Sequence, residues 1–438
     1  MNASEPAWNG EFEPPLDSPA PDESEWAPAM GRKGELAYWA AAFVLGLTRL
    51  LTFSLVGAMP VGELVLVALL GHAVLWIALF HRLPVQIPAP RLITLFAVCQ
   101  ALALMSYILS DLWRNSSPVD MIRGWLRMVF VLLDIGGLAL LMGAGRRAFI
   151  LFQIGSGLSF VQMVVMPPLF GDYWKFGLAY PITVLVLVIV PFWFGYWASA
   201  AAFLGLGVLH AVMDFRSFGG ICVCLCFLLL LRALPKRARK SLMAVGGLTM
   251  MALMPWISQK MFSNTGGRSD RSNVERSSML AAAWEGFLES PVIGNGSWFS
   301  NSKVVDNFLL IRAERERLGG GGMGFDNSAA EGMAIHSQML VTLAEGGLVG
   351  GAFFFCYGVF ILWAIWFALG DAAWDWTLPS RLFLLVNSFW DLWMSPFSGP
   401  VRINIALTVV LIALFWRERA RIREARLAPV GMARQALV

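Results

Sequence analysis

Histidine is scarce in this chain: four occur in 438 residues, at positions 72, 81, 210 and 336. His72 falls inside an apolar run, His81 sits beside Arg82 between two such runs, and His210 lies near the end of another. His336 alone stands where a long polar stretch meets an apolar one, in Ala334-Ile335-His336-Ser337-Gln338-Met339-Leu340. A neutral imidazole, titrating near pH 6.5, takes a proton from a hydroxyl at neutral pH, and such general-base help is worth roughly 100- to 10,000-fold in rate. A lone histidine at such a boundary is more often structural, so its surroundings decide. Nine residues on comes Glu345, in an apolar run that also carries Gly346, Gly347, Gly350 and Gly351. A charge and helix-packing glycines are costly in a segment that only has to sit in lipid.

Two arginines accompany the histidine. Arg276 opens a stretch, Ser272 to Ser290, in which Met279, Leu280, Ala283, Trp284, Phe287 and Leu288 recur at helical spacing. At about 100° per residue, Arg276 lies within about 40° of Leu280, Ala283 and Phe287, with Glu285 and Glu289 opposite. It is expected to face whatever the apolar side packs on. Arg216, in Met213-Asp214-Phe215-Arg216-Ser217-Phe218-Gly219-Gly220, either snorkels to lipid headgroups or serves a site. Arg49, Arg127 and Asp134 lie within apolar runs, where each charge costs on the order of 2.5–3.5 kcal/mol at mid-bilayer. They require partners. Arg127 and Asp134, seven apart, share a helix face and are expected to bridge through a neighbour.

The elements that position these groups are membrane spans. The chain is 58% hydrophobic and 14% charged, against roughly 25% charged in a soluble domain, which excludes a soluble enzyme. Residues 1–30 hold seven acids, six prolines and no lysine or arginine, the composition of a disordered tail and not of a signal peptide. Apolar segments near the ~20 residues a bilayer requires recur at 36–58, 62–80, 92–110, 123–143, 148–167, 174–191, 194–211, 217–233, 241–258, 337–369, 380–396 and 402–417. Between the sixth and seventh, only Pro191 and the Phe192 to Tyr196 stretch mark a turn. Five cysteines, Cys99, Cys222, Cys224, Cys226 and Cys356, all lie in apolar runs. Neither a disulfide framework nor a metal site is expected of them.

The positive-inside rule orients the spans. With the N-terminus in the cytoplasm, alternate connections place His81-Arg82 with Arg91, Arg146-Arg147, Arg232 with Lys236 to Lys240, and the Arg417 to Arg426 tail there too. The same count puts Asp111 to Asp120, Gly171 to Lys175, Gln259 to Ile335 and Ser395 to Pro400 outside. The expected organisation is an acidic cytoplasmic tail (1–35), spans one to nine (36–258), an outer loop (259–336), spans ten to twelve (337–417) and a basic cytoplasmic tail (418–438). The loop is too long for a plain connector. It includes the charged Arg312 to Arg317 segment and the glycine tract Gly319 to Gly324.

Three of these stretches together resemble the O-antigen ligase and O-antigen polymerase family. The first is His336-Ser337 with Leu340, then Ala344-Glu345, Gly347-Leu348 and Gly350; Ser337 stands where the family more often has Asn. The second is Arg276, the amphipathic helix, and Pro291-Val292-Ile293-Gly294-Asn295-Gly296. The third is Arg216, although Phe215 replaces a serine of the family pattern. The resemblance covers roughly residues 216–352.

It implies an all-α, polytopic, GT-C-like enzyme of the bacterial inner membrane, both termini cytoplasmic, acting on the periplasmic face. Such an enzyme is a metal-independent inverting glycosyltransferase needing no cofactor. It moves glycan from a polyprenyl diphosphate donor to a glycan or a lipid A core acceptor, among membrane lipids and without nucleic acid. The resemblance assigns proton abstraction to His336 and diphosphate binding to Arg216 and Arg276, with Arg268 and Arg271 as alternative contacts and Glu345 in support. A twelve-span transporter or glycan-lipid flippase is the rival reading, but no internal repeat is evident. A membrane scaffold, the other rival, would not need the histidine and two outer arginines.

Overall fold

In a computed structural model of the protein, residues 32–54, 58–164, 173–235, 268–297, 335–372 and 374–427 are described, with isolated positions between 237 and 245 and between 306 and 314. The acidic tail, most of the span expected at 241–258, the glycine tract and most of the Arg312 to Arg317 segment lie outside the described residues. The described chain is helical but for one small hairpin. Helix α1 (Arg32–Leu47) leads into β1 (Thr52–Ser54) and β2 (Ala58–Pro60), an antiparallel pair with Phe53 opposite Met59. There follow α2 (Val61–Phe80), α3 (Pro90–Arg114), α4 (Pro118–Gly143), α5 (Arg146–Leu158), α6 (Ala179–Val212), α7 (Arg216–Arg232), α8 (Arg268–Glu289), α9 (Gln338–Gly370), α10 (Leu378–Met394) and α11 (Gly399–Leu427).

The starts of these helices are written in local chemistry. Pro90 and Pro118 occupy the first turns of α3 and α4, where a missing N–H costs nothing, and Ser117 caps α4 by accepting from the Asp120 amide. Among the described residues, six helices are long and apolar enough to cross a membrane: α2, α3, α4, α6, α9 and α11 as far as Glu424. Large apolar side chains such as Val74, Leu79, Trp193 and Phe194 point outward, each more than 60% exposed, as lipid contact demands and water would not tolerate over so wide a surface. The protein is an all-α membrane protein.

Two long helices are broken at glycines. Gly195 in α6 (φ 73°, ψ −155°) and Gly347 in α9 (φ 64°, ψ −161°) adopt a conformation essentially restricted to glycine. Thr183 and His210 are hydrogen-bonded at 2.9 Å, although a straight helix rising 1.5 Å per residue would separate them by ~40 Å. The chain therefore reverses at Gly195, inside the Phe192 to Tyr196 stretch, and gives two antiparallel segments where two spans are expected. The region expected as a single span at 337–369 is divided in the same way. A Cβ on Gly350 would lie 3.0 Å from the Thr342 carbonyl, and one on Gly351 would lie 2.5 Å from Leu343 Cδ2. Residues 338–346 thus fold back against 348–370, and the expectation of one continuous helix is corrected.

The two ends of the bundle carry different polar groups. At one, Arg146 pairs with Asp375, Arg381 binds Asp375 at 3.0 Å, Arg232 donates to the Ala368 and Ala372 carbonyls, and Arg239 donates to the Gly370 carbonyl. Cations there meet the carbonyls at the end of α9, as the helix dipole favours. At the other end stand the start of α9, the end of α3 and the start of α4.

Replacing Gly347 by Ala forces a side chain into an ε-region backbone, with strain of about 1–3 kcal/mol, and drives its Cβ into the Val292 carbonyl. We expect Gly347→Ala to lower the thermal unfolding midpoint of the detergent-solubilised protein. Gly71→Ala, at a helical glycine with nothing within 4 Å of the added methyl, should leave it unchanged or raise it.

Candidate functional site

Breaking α9 at Gly347 frees backbone groups in an apolar interior, where each unsatisfied one is costly. The segment after α8 satisfies them. The amides of Asn295 and Gly296 donate to the carbonyls of Ala344 and Glu345 at 2.9 and 3.0 Å, and the Leu348 amide donates to the Pro291 carbonyl at 2.8 Å. Asn295 Nδ2 reaches the Ala344 carbonyl at 3.1 Å and the Gly286 carbonyl at 2.5 Å, tying α8 to the same point. Gly294 (φ 85°) lies so close to Glu345 that no Cβ fits. The Pro291 to Gly296 and Ala344 to Gly350 stretches, 49 positions apart at Ala344 and Asn295, form one interlocked unit.

Helix α3 fastens this unit from the other side. Ser106 Oγ donates to the Gly346 carbonyl at 2.5 Å, and Ser110 Oγ donates to the Ile293 carbonyl. Buried Asp111 accepts from the Ser297 amide at 2.5 Å, the Ser297 hydroxyl at 2.6 Å and Trp125 Nε1 at 2.7 Å. Glu345 is buried in an ion pair with Arg127 and accepts from the Tyr107 hydroxyl at 2.8 Å. Arg127 also lies 5.0 Å from the centroid of the Phe397 ring. The expected bridge from Arg127 toward Asp134 is not made: the nearer carboxylate on another helix wins. Glu345 is thus a structural partner beside the site.

His336 lies immediately before α9. Ser337 is the helix cap: its Oγ accepts from the Leu340 amide at 3.2 Å and donates to the Leu392 carbonyl of α10 at 3.4 Å. Serine and asparagine cap helices about equally well, so either residue at 337 would serve this role. Half-buried His336 is held down to about 4, first by burial and then by the cations Arg276 and Lys175. Arg276 of α8 therefore stands close enough for its charge to be felt at the imidazole. Its side chain is exposed, not turned with the apolar face toward what that face packs on, as its angular position predicts. The buried face of α8 is Ser278, Met279, Ala282, Ala283 and Phe287, while Trp284 and Leu288 are about half exposed.

Lys175, which sequence reasoning passed over, lies in a single π-helical turn (Trp174–Leu178) that opens α6. Its neighbour Trp174 donates from Nε1 to His210 Nδ1 at 3.2 Å. Indole only donates, so His210 carries its proton on Nε2 and gives it to Thr183, whose hydroxyl donates onward to the Ala179 carbonyl. His210 is fully engaged in holding the α6 segments together. It also packs on Phe215 and Phe218, so the turn before α7 belongs to the same end of the bundle. Arg216 there is 71% exposed and binds Asp214 at 3.1 Å. Among the described residues no direct interaction joins Arg216 to His336 or Arg276. Arg268 and Arg271 lie on α8, and their side chains fall outside the described residues.

A second polar group borders the first. Arg49 stacks 3.7 Å from the Tyr180 ring centroid and donates to its hydroxyl at 2.9 Å. Asp391 of α10, next to the Leu392 that Ser337 contacts, lies within electrostatic reach of Arg49 and accepts from Ser395 at 2.6 Å and Asn387 at 2.8 Å. The sequence signal for Arg49 was its cost in an apolar run; Tyr180 and Asp391 gave none. No family model matches the chain, and no curated protein matches it.

The arrangement is an imidazole held down by burial and by two cations at the end of a membrane bundle, and its unprotonated form can accept a proton. Removing either cation removes repulsion of the imidazolium, so Arg276→Gln and Lys175→Met should each raise the His336 ring titration, followed by NMR of the histidine-labelled protein. Arg127→Met leaves Glu345 buried without its cation and should cost about 3–5 kcal/mol. The double variant Arg127→Met with Glu345→Met should recover most of the stability, as read by denaturant unfolding in detergent.

Proposed function

We propose that the protein is a glycosyltransferase that moves glycan from a polyprenyl diphosphate to an acceptor hydroxyl, as a polysaccharide polymerase or O-antigen ligase of the bacterial inner membrane. The observation that carries this reading is the lowering of His336 by burial and by the charges of Arg276 and Lys175, joined to the interlock of the two stretches on which the family resemblance rests. In this reading twelve spans place both termini in the cytoplasm and the His336 end in the periplasm. Gathering of Arg146, Arg232, Arg239 and Arg381 at the opposite end supports that orientation.

The chemistry follows from charge. The diphosphate oxygens bind between Arg276 and Lys175, and exposed Arg216 exchanges Asp214 for the same anion. His336 accepts the acceptor hydroxyl proton, the hydroxyl oxygen attacks the anomeric carbon, and the bond to the diphosphate breaks with its electron pair leaving on oxygen. Configuration at that carbon inverts. The diphosphate also acts on the base: its negative charge offsets the cations that hold His336 down, so proton affinity rises when the donor is bound. A polytopic transporter or glycan-lipid flippase is the second reading, favoured by the two broken helices, which transporters use to line substrate sites. The break at Gly347 supports it less, because its freed carbonyls are filled by protein.

Purified protein in lipid nanodiscs should convert polyprenyl-diphosphate glycan to longer lipid-linked chains, or transfer it to lipid A core. His336→Ala, checked for insertion and folding, should lose on the order of 100- to 10,000-fold in rate. Full activity there would end the proposed role, and no transfer by the wild type would return the transporter reading. The acid limb of kcat/KM should lie well below 6.5, near the value of about 4 that His336 has in the free protein, and the limb of kcat should lie at higher pH.

A further inference from the structure

Helix α4 carries a buried acid two turns beyond Arg127. Asp134 is fully buried, and neither carboxylate oxygen has a hydrogen-bond partner among the described residues. Two helices present charged groups to it: Glu63 from α2 and Arg402 from α11. Those two are already committed to each other. Arg402 Nε donates to Glu63 Oε1 at 2.8 Å and its Nη2 donates to Oε2 at 3.0 Å, a bidentate pair with Glu63 fully buried and Arg402 7% exposed. The Phe130 ring covers the guanidinium, 5.6 Å from its centroid.

Among the described residues, the other helices packed on α4 offer Asp134 no cation. Helix α3 turns Gln100 to the Met128 carbonyl, and places Tyr107 with Glu345 and Asp111 with Ser297. Helix α1 offers Tyr38, bonded to His72 of α2. On α5, Arg146 pairs with Asp375 and Arg147 lies over Trp39. Arg127, on α4 itself, is paired with Glu345. The node where α2, α4 and α11 meet thus holds two carboxyls and one guanidinium, and is electrically neutral only with one proton added. Glu63 accepts on both oxygens from Arg402, and protonating it would weaken that pair. Asp134 has nothing to lose.

We propose that Asp134 is a proton-binding site within the membrane bundle, holding a proton at neutral pH beside the Glu63–Arg402 pair. It is independent of the His336 site, and it makes the packing of α2, α4 and α11 responsive to proton release. The test is infrared spectroscopy of the full chain in nanodiscs at neutral pH. A protonated carboxyl in apolar surroundings has a C=O stretch separate from carboxylate and amide bands, and it shifts on exchange into D2O. We expect the wild type to show this band, Asp134→Asn to lack it, and Glu63→Gln to keep it, displaced. A band absent from the wild type, or unchanged in Asp134→Asn, overturns the proposal, as does a band lost only in Glu63→Gln. Asp134→Asn replaces one neutral group by another of the same shape, so its thermal midpoint at neutral pH should match the wild type. Should it fail to fold, Asp134→Leu provides the same comparison, and loss of wild-type carboxyl signal on titration with sodium in place of protons would assign the site to a metal cation and overturn the proposal.

Discussion

The architecture depends on how the break in α9 is satisfied. A helix interrupted within an apolar environment exposes carbonyls and amides that neither lipid nor apolar side chains can bind. Here they are bound by backbone: the strap between Pro291 and Gly296 lends two amides and a carbonyl, and Ser106 lends a hydroxyl. The solution is directional. It fixes the strap to within a hydrogen-bond length, the strap fixes the end of α8 through Asn295 and Gly286, and α8 carries Arg276 toward His336. A surface loop held only by apolar contact would leave an arginine free to wander by several ångströms.

Burial of the Arg127–Glu345 pair belongs to the same arrangement. Such pairs gain little net stability over a well-packed apolar alternative, yet breaking one is expensive. Their effect is to penalise every other register. Glu345 sits one residue before Gly346 and two before the reversal, and its partner lies on the helix beginning just after Asp111, which grips Ser297 at the strap's far end. Shifting the strap or the break would unpair a buried charge in addition to several backbone groups. The ion pair and the interlock therefore specify one position, and the site inherits it.

Much of this was legible in the sequence. The helical membrane class is read from apolar runs because lipid leaves only helices as an option, although six helices among the described residues are long and apolar enough to cross where twelve spans are expected, and His336 is conspicuous because polar-to-apolar boundaries rarely carry a histidine among so few. Gly347 and Gly350 read as helix-packing glycines and Gly294 and Gly296 as part of the resemblance, with no partner named for any of them. A single sequence lists the groups that need partners without pairing them. Arg127 and Asp134 appeared matched by their shared face, yet the closer acid for Arg127 comes from a helix more than 200 positions away. Lys175 had no local pattern at all; its link to the site is the charge it places within electrostatic reach of His336. Arg276 was placed on the right helix, but the angular argument assumed that the apolar stripe is wholly covered, and Trp284 and Leu288 show that it is not.

The contrast between the two ends of the bundle bears on what the site is for. Arginines at one end are spent on helix-terminal carbonyls and on Asp375, contacts that complete the fold. At the His336 end, Arg276 and Arg216 are exposed, and His336 is held down first by burial and then by Arg276 and Lys175. Cations needed for folding are normally placed where their partners are buried with them; cations set beside a histidine also raise the local potential. That potential is useful to an anion arriving from outside the chain. On the proposed function that anion is a diphosphate, whose charge would offset the cations that lower His336, so that binding and base strength at this end of the bundle would be governed by the same charges.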